Sequence, residues 1–167
     1  MGTNAIRQPL DNLRNAGLIY GQIIYNKAPV MMEKLVDKMG ETNFRSGIQE
    51  YLKTYSYGNA TWDDLIRILD SKTTEDLAAF SDVWVNRKGM PTLTFRTDGQ
   101  ELEIRQHDPY NRGLFWPQRF AVTLCGERDS VIRVNMTDTL FRMQLPFVPS
   151  RVLPNTDGRG YGVFVPD

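Results

Sequence analysis

Residues 20–28 read YGQIIYNKA, which places two tyrosines five positions apart and a lysine two positions after the second. A phenol is protonated at neutral pH, so a catalytic reading of Tyr20 and Tyr25 is open, but it needs more of the chain than this stretch. The same side chain also packs its ring at the edge of a core and leaves its hydroxyl at the boundary. These nine residues alone leave both readings open, and Lys27 reads as a solvated or ion-paired side chain. His107 and Cys125 are each the only residue of their type. One imidazole and one thiol are too few ligands for an ordinary four-coordinate zinc site, so no metal site is expected in this chain. The sequence has no H-E-x-x-H and no glycine-rich phosphate loop, and any Ser/His/Asp triad would have to use His107. His107 closes the strand-like ELEIRQH and is expected at the surface or in a structural role.

These candidates sit in a chain of 167 residues, 41% hydrophobic and 24% charged, which suits one medium domain or two small ones. Twenty basic side chains balance twenty acidic ones. That balance argues against a nucleic acid or an anionic membrane held by bulk charge. No apolar run is long enough to span a bilayer, and MGTNAIRQPLDN has no apolar signal core, so no membrane partner is expected. With one cysteine there is no internal disulfide, and the compartment stays open.

Two periodicities divide the sequence. From about residue 27 to 88 the apolar spacing is helical. Ala28, Met31, Met32, Leu35, Val36 and Met39 form one stripe, with Pro29 in a first turn and Gly40 at the end. Thr42 is expected to cap a second helix with the stripe Phe44, Ile48, Tyr51, Leu52 and Tyr55. Thr61 and Asp64 have capping-box spacing ahead of a third helix that buries Trp62, Leu65, Ile66 and Leu69. A fourth is expected from Thr74, carrying Leu77, Phe80, Val83 and Trp84, with Glu75 and Asp76 at its positive end. After Gly89-Met90-Pro91 the period becomes two. PTLTFRT, an Asp98-Gly99 turn and ELEIRQH read as a hairpin; QRFAVTLC, SVIRVNM, LFRMQLP and YGVFV read as further strands. The fold expected is α+β: a helical part over residues 1–90, then a small antiparallel β-sandwich over 91–167.

The order of these motifs resembles the aminopeptidase N family of zinc metallopeptidases, the gluzincin aminopeptidases. The resemblance is carried by Tyr25-Asn26-Lys27-Ala28, Gly40 to Phe44, Tyr51-Leu52, Tyr57-Gly58-Asn59-Ala60-Thr61, Asp63-Asp64, Trp84 and Gly89-Met90-Pro91. VLPNTDGRGYGVFV resembles the stretch that ends the family's β domain. The likeness covers nearly the whole chain and is strongest through Pro91. It implies a fragment: the helical C-terminal portion of a thermolysin-like catalytic domain, followed by the β-sandwich domain.

The resemblance also implies a division of labour. The family's zinc ligands, its general base and the stretch that holds the substrate's free amine all lie upstream of the matched region. Zinc is therefore expected in the parent enzyme and not in this chain. Tyr25 matches the family tyrosine that stabilises the oxyanion of the tetrahedral intermediate, and Tyr20 matches a neighbour that lines the substrate site. Ala28 stands where the family usually has glycine, and Pro29 beside it is less usual. The function implied is that of a piece of an aminopeptidase that removes N-terminal residues from peptides, inactive by itself. A non-catalytic scaffold or interaction module is the alternative. The expected partners are the N-terminal zinc-binding lobe, the C-terminal domain and a peptide substrate. An apolar face near Ile19, Ile23 and Ile24 is expected to be open to self-association.

Overall fold

The computed structural model describes residues 4–8, 12, 14, 17 and 23–166. The chain forms two compact units, Ala5–Arg87 and Lys88–Asp167.

In the first unit a π-helical turn, Ile23–Lys27, runs directly into α1, Ala28–Met39, with Pro29 in its first turn, where proline's missing N–H loses no helix bond. Gly40, at φ +84°, ends α1 by donating its N–H to the Val36 carbonyl at 2.8 Å. The Gly40 carbonyl then accepts from Phe44 N at 3.0 Å and opens α2, Glu41–Thr54. One glycine therefore serves both ends, and Thr42 lies inside α2 instead of capping it. Gly47 is the contact point of α2 with α3, Trp62–Asp70: a Cβ there would stand 2.5 Å from Leu69 Cδ2. Leu52 lies about 140° around the helix from Gly47 and is 62% exposed, so it does not join the buried stripe expected of it.

The capping box of α3 forms as expected. Asp64 N donates to Thr61 Oγ1 at 3.2 Å and Thr61 N donates to Asp64 Oδ2 at 3.0 Å, and Thr61 holds the Asp64 carboxyl below the usual carboxylate range. Leu65, Ile66 and Leu69 are buried, whereas Trp62 is half-buried and donates its indole N–H to Ser81 Oγ at 2.7 Å. The last helix begins later than Thr74. It is α4, Leu77–Ser81, capped by Asp76, whose carboxylate accepts from Ala79 N at 2.8 Å. It continues as a π-helical turn, Asp82–Asn86, that buries Val83, Trp84 and Val85 in succession.

The second unit is a sandwich of two sheets. One has the strand order β5-β2-β1-β7 and the other β4-β3-β6. The strands are β1 Thr92–Asp98, β2 Glu101–His107, β3 Gln118–Cys125, β4 Ser130–Met136, β5 Leu140–Gln144, β6 Arg151–Pro154 and β7 Val163–Pro166. All pairs are antiparallel except β1 with β7, which run parallel from Thr92 opposite Val163. Asp98 pairs with Glu101, so the hairpin loop is Gly99-Gln100 and not Asp98-Gly99; Gly99, at φ +57°, supplies the left-handed residue that a two-residue loop needs. Among the described residues no helix follows Pro91. The inner faces meet in one core of Leu93, Phe95, Leu102, Ile104, Phe120, Val122, Leu124, Val134, Met136 and Leu145, with Phe164 edge-on to Phe120 at 5.5 Å.

Polar side chains hold the loops to this core. Asp108 is buried and accepts from Tyr110 N at 3.1 Å, Arg112 N at 3.0 Å and both Nε and Nη2 of Arg112. Arg112 Nη2 also donates to the Lys88 carbonyl at 2.7 Å, tying the β2–β3 loop to the start of the unit. A Cβ on Gly89, whose φ is +122°, would lie 2.8 Å from that nitrogen, so glycine is required for the approach. The Arg112 guanidinium, with the two loop amides, holds the Asp108 carboxyl well below its usual value of 3.8. The unfolded chain therefore binds the proton first as the pH drops, so this stabilisation is complete above about pH 4 and is lost progressively below it. Asp108→Ala should lower the stability of the β unit by about 1–3 kcal/mol at pH 7, measured by denaturant unfolding, and should flatten the acid side of its stability profile.

Candidate functional site

The candidate residues come from the π-helical turn ahead of α1. A π-turn widens the helix by one residue, and such turns occur frequently at functional sites. Here the turn leaves two consecutive residues outside and the next one inside. Tyr25 is 68% exposed and Asn26 is exposed, while Lys27 is only 2% exposed. The turn therefore presents a phenol outward from a backbone held on its other side. Tyr20 lies outside the described residues, as do Ile19 and the side chains of Ile23 and Ile24, so the expected substrate-lining role of Tyr20 and the expected apolar face fall there.

Of the two expectations for Lys27, solvated or ion-paired, the first is corrected: the side chain is buried, and burial pushes its amine down to about 8 from the ordinary 10.5. Lys34, seven residues on, is 5% exposed and stands 5.4 Å from the centre of the Trp84 ring, a cation–π contact. Lys27 and Lys34 occupy the same helical face as Met31 and Leu35, which are also buried. That spacing was readable in advance, but lysine is so seldom buried that residue type argues against placing it on an inner face.

His107 is exposed at the end of β2, and Cys125 is a half-buried free thiol at the end of β3. Among the described residues no three His, Cys, Asp or Glu side chains are placed to hold a metal ion. The residues present therefore do not fit a zinc site, and Tyr25 is the one reactive group the described helical unit presents at the turn.

Comparison with known proteins bears on what such a phenol serves. Residues 1–84, half of the chain and the segment that carries Tyr25, match the model of the peptidase family M1 domain. The chain belongs to peptidase family M1. Family M1 aminopeptidases are in general zinc-dependent hydrolases. Similar proteins include endoplasmic reticulum aminopeptidase 2 of Homo sapiens, 28% identical over 93% of this chain and 20% of that protein. Tricorn protease-interacting factor F2 of Thermoplasma volcanium is 30% identical over 57% of this chain and 12% of its own length. Among solved structures, aminopeptidase A of Legionella pneumophila, in complex with aspartic acid, superposes with a TM-score of 0.65 at 19% identity, covering 92% of this chain and 18% of that one. That likeness shows the fold, α+β as the two periodicities implied. The M1 chain spans between 12% and 20% of the length of these curated relatives.

The buried amine makes a pH prediction. Because the folded value lies below the unfolded one, the unfolded chain binds the extra proton between about pH 8 and 10.5, and stability rises with pH across that window. Lys27→Met should remove this rise in stability between about pH 8 and 10.5, as measured by urea unfolding at stepped pH.

Proposed function

We propose that this chain is the last helical part of the catalytic domain, with the β domain after it, of a zinc aminopeptidase that removes N-terminal residues from peptides. In that enzyme Tyr25 donates its hydroxyl hydrogen to the oxyanion of the tetrahedral intermediate. The observation that carries the reading is the outward-facing phenol of Tyr25, set on a π-turn within the segment that matches the family. The human relative is an aminopeptidase, and a further similar protein is the alanine/arginine aminopeptidase of Saccharomyces cerevisiae.

A tyrosine suits the task because it donates without carrying a charge, and so favours the oxyanion over the neutral carbonyl that precedes it. Zinc, bound by a lobe encoded upstream, would supply Lewis acidity and an activated water. This chain supplies the donor and the rigid helix behind it. Tyr20 is assigned to the wall of the substrate site. The 167 residues by themselves lack H-E-x-x-H and should not hydrolyse aminoacyl substrates. The upstream lobe, a C-terminal domain and the peptide are the partners of this reading, and exposed Leu52 and Tyr57 offer apolar surface that the missing parts or a second copy would cover.

The test is Tyr25→Phe in the full-length protein, which removes one donor and keeps the ring. It should lower kcat by roughly 10²–10³ with zinc content and folding intact. If the bond forms only in the transition state, kcat and kcat/KM fall together. An unchanged kcat would remove Tyr25 from the mechanism.

A further inference from the structure

Pro29 bears on the turn that carries Tyr25 from its C-terminal side. In α1 counted by itself the proline gives up no bond, but the chain does not enter α1 from a loop. It is already helical over Ile23–Lys27, in the wider π form, and takes up α geometry at Ala28, directly beside the proline. Pro29 has no N–H, so neither register is bonded from this position: the carbonyl of Ile24, its π partner, and that of Tyr25, its α partner, both go without that donor. In a continuous α-helix the ring would also run into the Tyr25 carbonyl, four residues back. Widening the turn ahead of the proline takes that carbonyl away from the ring. The π-turn Asp82–Asn86 is a different case: it ends its helix, closed by Arg87 N on the Asp82 carbonyl at 3.1 Å. Of the two described π-turns, only Ile23–Lys27 returns to α geometry, and it does so at a proline. Met31, Leu35 and Met39 are buried on α1, so that helix is not free to rotate and absorb a change. A change of register ahead of Ala28 therefore falls on the turn itself, rotating its residues by about 100°, one residue's worth of helix. Pro29 is exposed, so packing does not account for its presence.

We infer that Pro29 is a positioning residue for the reaction: by excluding the α register at the Tyr25 carbonyl, it keeps the turn Ile23–Lys27 wide and the Tyr25 phenol facing outward. The inference rests on the role proposed for Tyr25. It deepens that role by making the donor's direction depend on a second residue, one that acts through the backbone alone. Alanine is the best helix former and proline the worst, so position 29 sets the strength of an unbroken helix against the direction of Tyr25.

The experiment is a double-mutant cycle in the full-length enzyme with Pro29→Ala, Tyr25→Phe and the pair, reading kcat, KM and Tm, with Pro29→Gly beside it. Pro29→Ala restores the N–H and removes the ring. It should fold with an equal or higher Tm, yet lose roughly 10- to 100-fold in kcat, the size of loss expected when a reacting group moves by about an ångström. Its KM should stay within about twofold, since the interaction lost belongs to the transition state. In the Tyr25→Phe background the same change should lower kcat by less than about twofold, because the donor it positions is already gone. Across proline, glycine and alanine at position 29, kcat should fall in that order, the reverse of helix propensity, which a purely structural role would not produce. A wild-type kcat in Pro29→Ala would overturn the inference alone and leave Tyr25 in place. So would losses that multiply in the double variant, or a kcat that follows Tm across the three residues. If Tyr25→Phe itself has no effect, both the role of Tyr25 and the inference built on it fall.

Discussion

The inner face of α1 is the constraint on which the helical unit depends. Met31, Leu35 and Met39 seal it against the rest of the unit, and Lys27 and Lys34 are buried on the same side. Apolar burial contributes roughly 1.5–3 kcal/mol for each such side chain, so the stripe fixes the rotation of the helix about its axis. Once that rotation is fixed, the direction of every residue in the preceding turn is fixed as well. Tyr25 faces solvent because Lys27 and Met31 do not. The link from sequence to the exposure of Tyr25 therefore runs through packing: a hydrophobic stripe orients a helix, and the helix orients a phenol.

The β unit solves a different problem, which is to hold long loops on a small core. Three carboxamides do this by copying a peptide group. Gln106 donates to the Trp116 carbonyl at 2.9 Å and accepts from Trp116 N at 2.6 Å. Gln118 pairs with both backbone groups of Tyr161, at 3.2 and 2.8 Å, and Asn155 pairs in the same way with Gly160. Each closes a two-point ring with a backbone segment, and at Trp116 the groups so satisfied are buried. Asp108 and Arg112 add a charged version at the entry to the unit.

What could be read from the sequence were the features set by near neighbours. The change of period at Gly89, the capping box Thr61–Asp64 and the β1–β2 hairpin follow from spacing within a few residues. The misses have distant causes. β6, Arg151–Pro154, is four residues long and ends in proline, so it has no alternation to detect; it exists because Val152 and Leu153 lie against Leu124 and Thr123 of β3. The parallel pairing of β7 with β1 joins residues about 70 apart and leaves no local mark. Thr42 was a plausible cap in a sequence where Gly40 did the work by its backbone. At the candidate site the burial of Lys27 was not legible. Tyr25 stands in a motif, whereas the burial of Lys27 is set by the packing of the finished helix, which residue type alone contradicts.

The most direct measurement of the central claim is a crystal structure of the full-length protein with a phosphinic dipeptide, a stable mimic of the tetrahedral intermediate. The account places the Tyr25 hydroxyl about 2.7–3.1 Å from a phosphinate oxygen, donating to it, with the turn Ile23–Lys27 unchanged. A Tyr25 hydroxyl beyond hydrogen-bond reach of the phosphinate, with another donor in its place, would contradict the account.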